Sequence, residues 1–130
     1  MNNENDDTND LLKSIYKQNK KKELNKVKTY NIILDKCKKK IKWAADNEQY
    51  FIIFELPRFT FNCPLYNLDE CCFYIKQKLE KKFQIVHFTP EHLIKLHNNN
   101  NNNNINENQL THILIISWNH IKEHFNKLYY

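Results

Sequence analysis

The chain has 130 residues, 41% of them hydrophobic, with a formal net charge of +5, which suffices for one domain with a core and is too short for two. It contains no Gly and a single Arg, Arg58, so a glycine-built phosphate loop and a nucleophile elbow are both excluded. The charge is unevenly spread: residues 13–42 hold twelve Lys against Glu23 and Asp35, a local +10, and the rest balances to −5.

Asn, Lys, Ile, Tyr and Phe are the residues an AT-rich genome writes by default, so the excess of Lys over Arg is discounted; Lys still binds phosphate as a point charge. Without Gly, left-handed turn positions fall to Asn, Asp or a longer loop.

Residues 1–9, MNNENDDTN, read as a disordered acidic tail, because they have nothing apolar to offset the cost of ordering. They also lack the basic start and apolar segment of an export signal. No apolar run approaches the roughly 18 residues of a membrane helix, and a soluble protein is expected. Residues 10–130 read as a single α+β domain.

A helix is expected to start near Asp10, with Leu11, Leu12, Ile15 and Tyr16 at helical spacing, and to fray or bend in the polar stretch KQNKKKELNK. The strongest helical pattern follows. Val27, Tyr30, Leu34, Cys37, Ile41 and Ala44 recur at steps of three and four. At 100° per residue, Lys28, Lys36, Lys39 and Lys42 project to the opposite side together with Ile32 and Trp43. Two large apolar groups among lysines are not what a purely solvated face predicts, so these six residues are the candidate partner-binding surface. The competing reading is a solvated helix side.

QYFIIFELP, ended by Pro57, reads as a buried strand. Phe59, Phe61 and Pro64 lie in a structured loop. Asn67 is placed to cap a second helix, with Glu70 three residues on. Leu68, Cys72, Ile75, Leu79 and Lys82 or Phe83 continue that helix at its amphipathic spacing. QIVHF and HILIISW are two further strands. The connection EHLIKLHNNNNNNNINENQL between them, with seven consecutive Asn, is read as a long insertion, disordered near residues 98–109. The last twelve residues return to a mixed polar and aromatic pattern.

Cys63, Cys71 and Cys72 invite a metal or disulfide reading. Neither C-x₇-C nor C-C is a zinc-knuckle spacing, and a reducing compartment disfavours a disulfide. Cys37 and Cys72 fall on apolar stripes, where a free thiol behaves as a small hydrophobe. Buried packing is therefore the expectation, and no metal or cofactor is assigned. Two alternatives are carried beside it. His120-Ile121-Lys122-Glu123-His124 matches the inverted zinc-peptidase motif H-x-x-E-H, a zinc-hydrolase reading that needs a further ligand for which six remaining residues leave little room. His120 and His124 could also join Cys63 and Cys71 in a composite site. Ser14 and Ser117 are the only serines, and nothing in the sequence indicates their activation, so an enzyme is not expected.

FELP, CPLYNLDECCFYIKQKLEKKF, QIVHF and LIISW, in that order, resemble a family of small uncharacterised proteins of giant nucleocytoplasmic DNA viruses. Cys37, Pro57, Pro64, Tyr66, Cys72, Tyr74, Leu79, Phe83, Val86, Ile116, Ser117 and Trp118 occupy that family's places, over about residues 25–118. Lys82 stands where the family usually has Gly. The resemblance implies a virion or virus-factory (host cytoplasm) setting, with the aromatic and cysteine positions serving the fold.

These readings combine into an α+β fold in which a long basic N-terminal helix and a second amphipathic helix pack on a small, mostly antiparallel sheet of about three strands. The expected function is a non-enzymatic interaction module, a minor virion structural or packaging component. It would bind an acidic protein surface or nucleic acid through the lysine face, with no membrane span and no small-molecule substrate. The alternative is a winged-helix-like nucleic-acid binder with the Asn-rich loop as its wing, one helix short of that layout.

Overall fold

Residues 3–100 and 110–119 are described by the structure, a computed structural model. The elements are α1 (Asn3–Asp46), β1 (Phe51–Glu55), α2 (Leu68–Leu79), β2 (Gln84–Phe88), α3 (Pro90–Asn100) and β3 (Ile113–Ser117). The strands form one antiparallel sheet in the order β1-β3-β2. This is the expected α+β class, with the expected long N-terminal helix and three-stranded sheet.

α1 is one continuous helix of 44 residues, roughly 66 Å long at 1.5 Å per residue. It starts at Asn3, ahead of the expected start at Asp10, so most of the segment read as a tail is helical. It also runs without a break through KQNKKKELNK. Asp6 and Asp7 sit near the positive end of the helix dipole, which favours acidic residues, and Lys, Gln, Glu and Leu sustain a helix without packing. Side chains from Asp6 to Asn25 are all exposed. From Thr29 onward one side of the helix is buried, through Tyr30, Ile33, Leu34, Cys37 and Ala44.

That stripe differs from expectation at three positions, the third being Thr29, buried at 2% exposure with its hydroxyl donating to Asn25 O at 3.1 Å. Val27 is exposed, because the helix has not yet reached the domain at that turn, and Ile33 is fully buried at 0% exposure. A helix lying on a sheet buries three or four residues per two turns, a band wider than one three-four line.

α1 ends in a Schellman motif: Gln49 N–H donates to Ala44 O at 2.8 Å and Glu48 N–H to Ala45 O at 3.1 Å. The left-handed position falls on Glu48, at φ 61°. With no Gly available, one such position goes to Asn62, as expected, and this one to a glutamate, which was not.

Strand alternation sets the core. Ile52 and Phe54 of β1 and Leu114 and Ile116 of β3 are buried on one face, together with the helix residues above and Cys71, Cys72, Ile75 and Leu79 of α2. The other face carries Phe51, Ile53 and Val86, all exposed, around Ile115. Asn67 caps α2 as expected, its side-chain oxygen accepting from Glu70 N–H at 3.0 Å. The helix stops at Leu79, and Phe83 packs from the turn that follows, its N–H donating to Leu79 O at 2.9 Å.

α3 corrects the sequence reading, which treated everything from Glu91 to Leu110 as an insertion. Thr89 Oγ1 accepts from His92 N–H at 3.2 Å while Thr89 N–H donates to His92 Nδ1 at 3.4 Å. This is a reciprocal cap with histidine in the place of Glu, and Pro90 takes the first helical position, where no N–H is needed. α3 packs against β2 and reaches Asn100, into the stretch 98–109; residues 101–109 lie outside the described residues.

Candidate functional site

Two places gather chemistry. The first is the outer side of α1. Lys28, Lys36, Lys39 and Lys42 are exposed, Ile32 is 41% exposed and Trp43 61%. At 100° per residue the six fall within an arc of roughly 120°. The outer side of the helix therefore carries the lysines and the indole together.

Trp43 also borders a groove of about 520 Å³ between the end of α1 and the edge strand β1, with Lys40, Tyr50, Phe51 and Ile53 among its walls. Lys40 Nζ donates to Ile53 O at 2.6 Å across this groove. A lysine on an outward carbonyl of an edge strand blunts that edge against further strand pairing. The groove joins the lysine surface to Phe51 and Ile53, the exposed apolar residues of the sheet's outer face.

The second place was not anticipated as a group. Cys72 on α2, His87 on β2 and His112, just ahead of β3, converge at one end of the helix–sheet interface, with one ligand atom from each within 4.8 Å of the others. Cys72 Sγ is 3.2 Å from His87 Nε2, and His87 Nε2 is 2.8 Å from His112 Nδ1. His112 Nε2 in turn contacts Asp69 Oδ1 at 2.5 Å. Cys72 and His112 are buried, His87 is half-buried and Asp69 is exposed.

Each placement has a local cause. His87 alternates with Ile85 on the inward side of β2, and His112 shares parity with Leu114 and Ile116 of β3. Cys72 lies on the buried side of α2, with Asp69 three residues earlier in the first turn. An inward histidine on β2 and another at the same parity just ahead of β3 were the sequence signal available for this cluster.

The environment favours neutral groups. Burial is the main cause lowering His87 to about 4, aided by Lys76 and His112. Burial also pushes the Cys72 thiol up to about 11, against the pull of Lys76. A buried thiol with its pKa raised is not an activated nucleophile.

The remaining cysteines are free thiols: Cys37 and Cys71 are buried, Cys63 only partly. Desolvation raises Cys37 and Cys71 to about 12 each. His120, Glu123 and His124, which carry the zinc-hydrolase and composite-site alternatives, lie outside the described residues. The aromatic positions Tyr66, Tyr74, Phe83 and Trp118 pack against the core.

The molecule is thus a small α+β protein in which one extended helix leans on a three-stranded antiparallel sheet. A family model matches residues 11–80, from the first turns of α1 through the end of α2, and the chain belongs to that family, a family of unknown function (DUF5759). The matched stretch holds the lysine face, Asp69 and Cys72, while His87 and His112 fall beyond it. No curated protein and no solved structure matches the chain. Among the described residues, no helix is long and apolar enough to cross a membrane.

Proposed function

We propose that the protein is a non-enzymatic interaction module whose lysine face on α1 engages an acidic protein surface. The observation that carries this reading is Trp43: a 61% exposed indole set among Lys36, Lys39 and Lys42 and continuous with the apolar groove toward Phe51 and Ile53. Trp is among the residues that most often anchor a protein interface, and lysines around it steer an acidic partner into register. The virion setting implied by the family resemblance belongs to the same proposal.

The winged-helix alternative requires α2 to act as the reading helix. Its first turn carries Asp69 and Glu70, carboxylates placed where a recognition helix meets base edges and phosphates. Like charge disfavours that docking, and the lysine face is the better electrostatic surface.

The test is fluorescence anisotropy with a labelled acidic peptide bearing aromatic residues and with a duplex DNA of equal charge, each at low and high salt. The expected result is peptide binding that Trp43→Ala weakens about tenfold or more and that charge reversal at Lys36, Lys39 and Lys42 abolishes. Preferred binding of the duplex, with a steep salt slope, would replace the acidic protein with nucleic acid. Equal behaviour of wild type and both variants would remove the lysine face as a binding surface. Mass spectrometry of purified particles reads the virion setting separately.

A further inference from the structure

The Cys72, His87 and His112 cluster lies away from the lysine face and does not depend on it. We propose that Cys72 Sγ, His87 Nε2 and His112 Nδ1 are the protein ligands of a zinc ion that staples α2 to the sheet. Three donors, from α2, from β2 and from the residue just ahead of β3, converge at one point with Cys72 and His112 buried and His87 half-buried. This is the soft and borderline donor set that Zn²⁺ prefers.

The distances agree with a site that closes on a small tetrahedral ion. With Zn–N about 2.0–2.1 Å and Zn–S about 2.3 Å, tetrahedral ligand atoms stand roughly 3.3–3.6 Å apart. The observed separations of 3.2 Å and 2.8 Å require those two pairs of atoms to part by roughly half an ångström, and all three ligand atoms already lie within 4.8 Å of one another.

The carboxylate behind the cluster is the more specific feature. A metal-bound histidine characteristically donates its other ring N–H to a carboxylate, which fixes the tautomer and the ring. His112 does this: Nε2 meets Asp69 Oδ1 at 2.5 Å, leaving the Nδ1 lone pair aimed at the cluster centre. A proton on His112 Nε2 also means that His87 Nε2 and His112 Nδ1 can share their 2.8 Å contact only if His87 donates. The Cys72 sulfur then faces that same N–H. An ion at the centre would satisfy three lone pairs at once.

Binding is balanced simply. The Cys72 thiol loses its proton to solvent and forms the Zn–S bond, both histidines bind as neutral imidazoles, and His87 carries its proton on Nδ1. One proton is released per ion. An open cleft of about 690 Å³ bordered by Arg58, Tyr66, Asp69, Glu91 and His112 reaches the cluster from one side. A second, of about 400 Å³ and lined by His87, His92, Lys95 and Leu96, reaches it from another. The fourth tetrahedral position is left to water or to a further donor.

The experiment is titration of metal-free full-length protein with Co²⁺ and then Zn²⁺, followed by absorption spectroscopy and metal analysis. One Co²⁺ per chain is expected, with a near-ultraviolet thiolate-to-cobalt charge-transfer band that Zn²⁺ displaces. The band is retained in Cys71→Ser and lost in Cys72→Ser. Asp69→Asn, at a side chain 83% exposed, should lower Zn²⁺ affinity about 10–100-fold. A wild-type protein that retains no stoichiometric ion, as a merely hydrogen-bonded histidine pair would, overturns the proposal without reference to any variant. So does a thiolate band that survives Cys72→Ser, and unchanged affinity in Asp69→Asn removes the carboxylate from the site.

Discussion

The Tyr30 hydroxyl donates to Glu70 Oε2 at 2.9 Å, tying α1 to the first turn of α2 across forty positions of sequence. Tyr30 is otherwise buried, with its ring 5.7 Å from that of Tyr74 and 6.2 Å from that of Tyr66. Burial is the main reason that its pKa is raised, followed by the bond to Glu70. The aromatic group fills the space between the helices, and its hydroxyl fixes their offset.

Removing only that hydroxyl tests the tie. Tyr30→Phe should cost about 1–2 kcal/mol by urea denaturation, the range for a hydrogen bond to a charged acceptor that is partly solvated. Lys26→Ala, which deletes the 3.7 Å pair to the same carboxylate, should cost no more than about 0.5 kcal/mol, since both partners are well exposed.

Adjacent positions on α1 offer a direct measure of which side faces the core. Ile33→Ala should destabilise by about 2–5 kcal/mol, combining lost transfer energy with the cavity left behind. Ile32→Ala, one residue earlier, should fall within about 0.5 kcal/mol of wild type. Equal losses at the two positions would contradict the observed rotation of α1.

Alkaline pH should weaken the fold through Cys37. Its folded pKa is raised from 9.0 to about 12 by burial, so the native state holds the proton more tightly than the unfolded chain. The stabilisation is complete below pH 9 and is lost as pH climbs through the folded value. At about pH 10 the loss should be roughly 1 kcal/mol, measured as a falling urea midpoint, and Cys37→Ala should lack that part of the pH dependence.

The first half of α1 should be dispensable for stability. Side chains from Asp6 to Asn25 are exposed, so removing residues 1–24 should leave the unfolding free energy within about 0.5 kcal/mol of the full chain. A large loss would mean that this half of the helix is bound to the domain.

Much of this architecture was legible in the residues. QIVHF is β2 at its expected bounds, FIIFE and ILIIS are the other strands, and Asn67 with Glu70 marked the start of α2. These features rest on interactions a few residues apart, or on an alternation of two that any half-buried strand must show. α3 is not marked by a familiar signal, because its reciprocal cap uses His92 where a Glu or Gln is the usual partner and because an Asn run, typical of an insertion, follows it directly.

By itself the sequence determined the α+β class, the outward indole among lysines on α1, and the burial of Cys37 and Cys72. Each follows from a periodicity that repeats locally and points one way. Tertiary structure alone decided that Cys72, His87 and His112 meet, with Asp69 behind them. Their spacing of fifteen and twenty-five residues is set by how β2 and β3 pair and where α2 lies across them. No local rule carries that information, because the distance between side chains on different elements is fixed by packing.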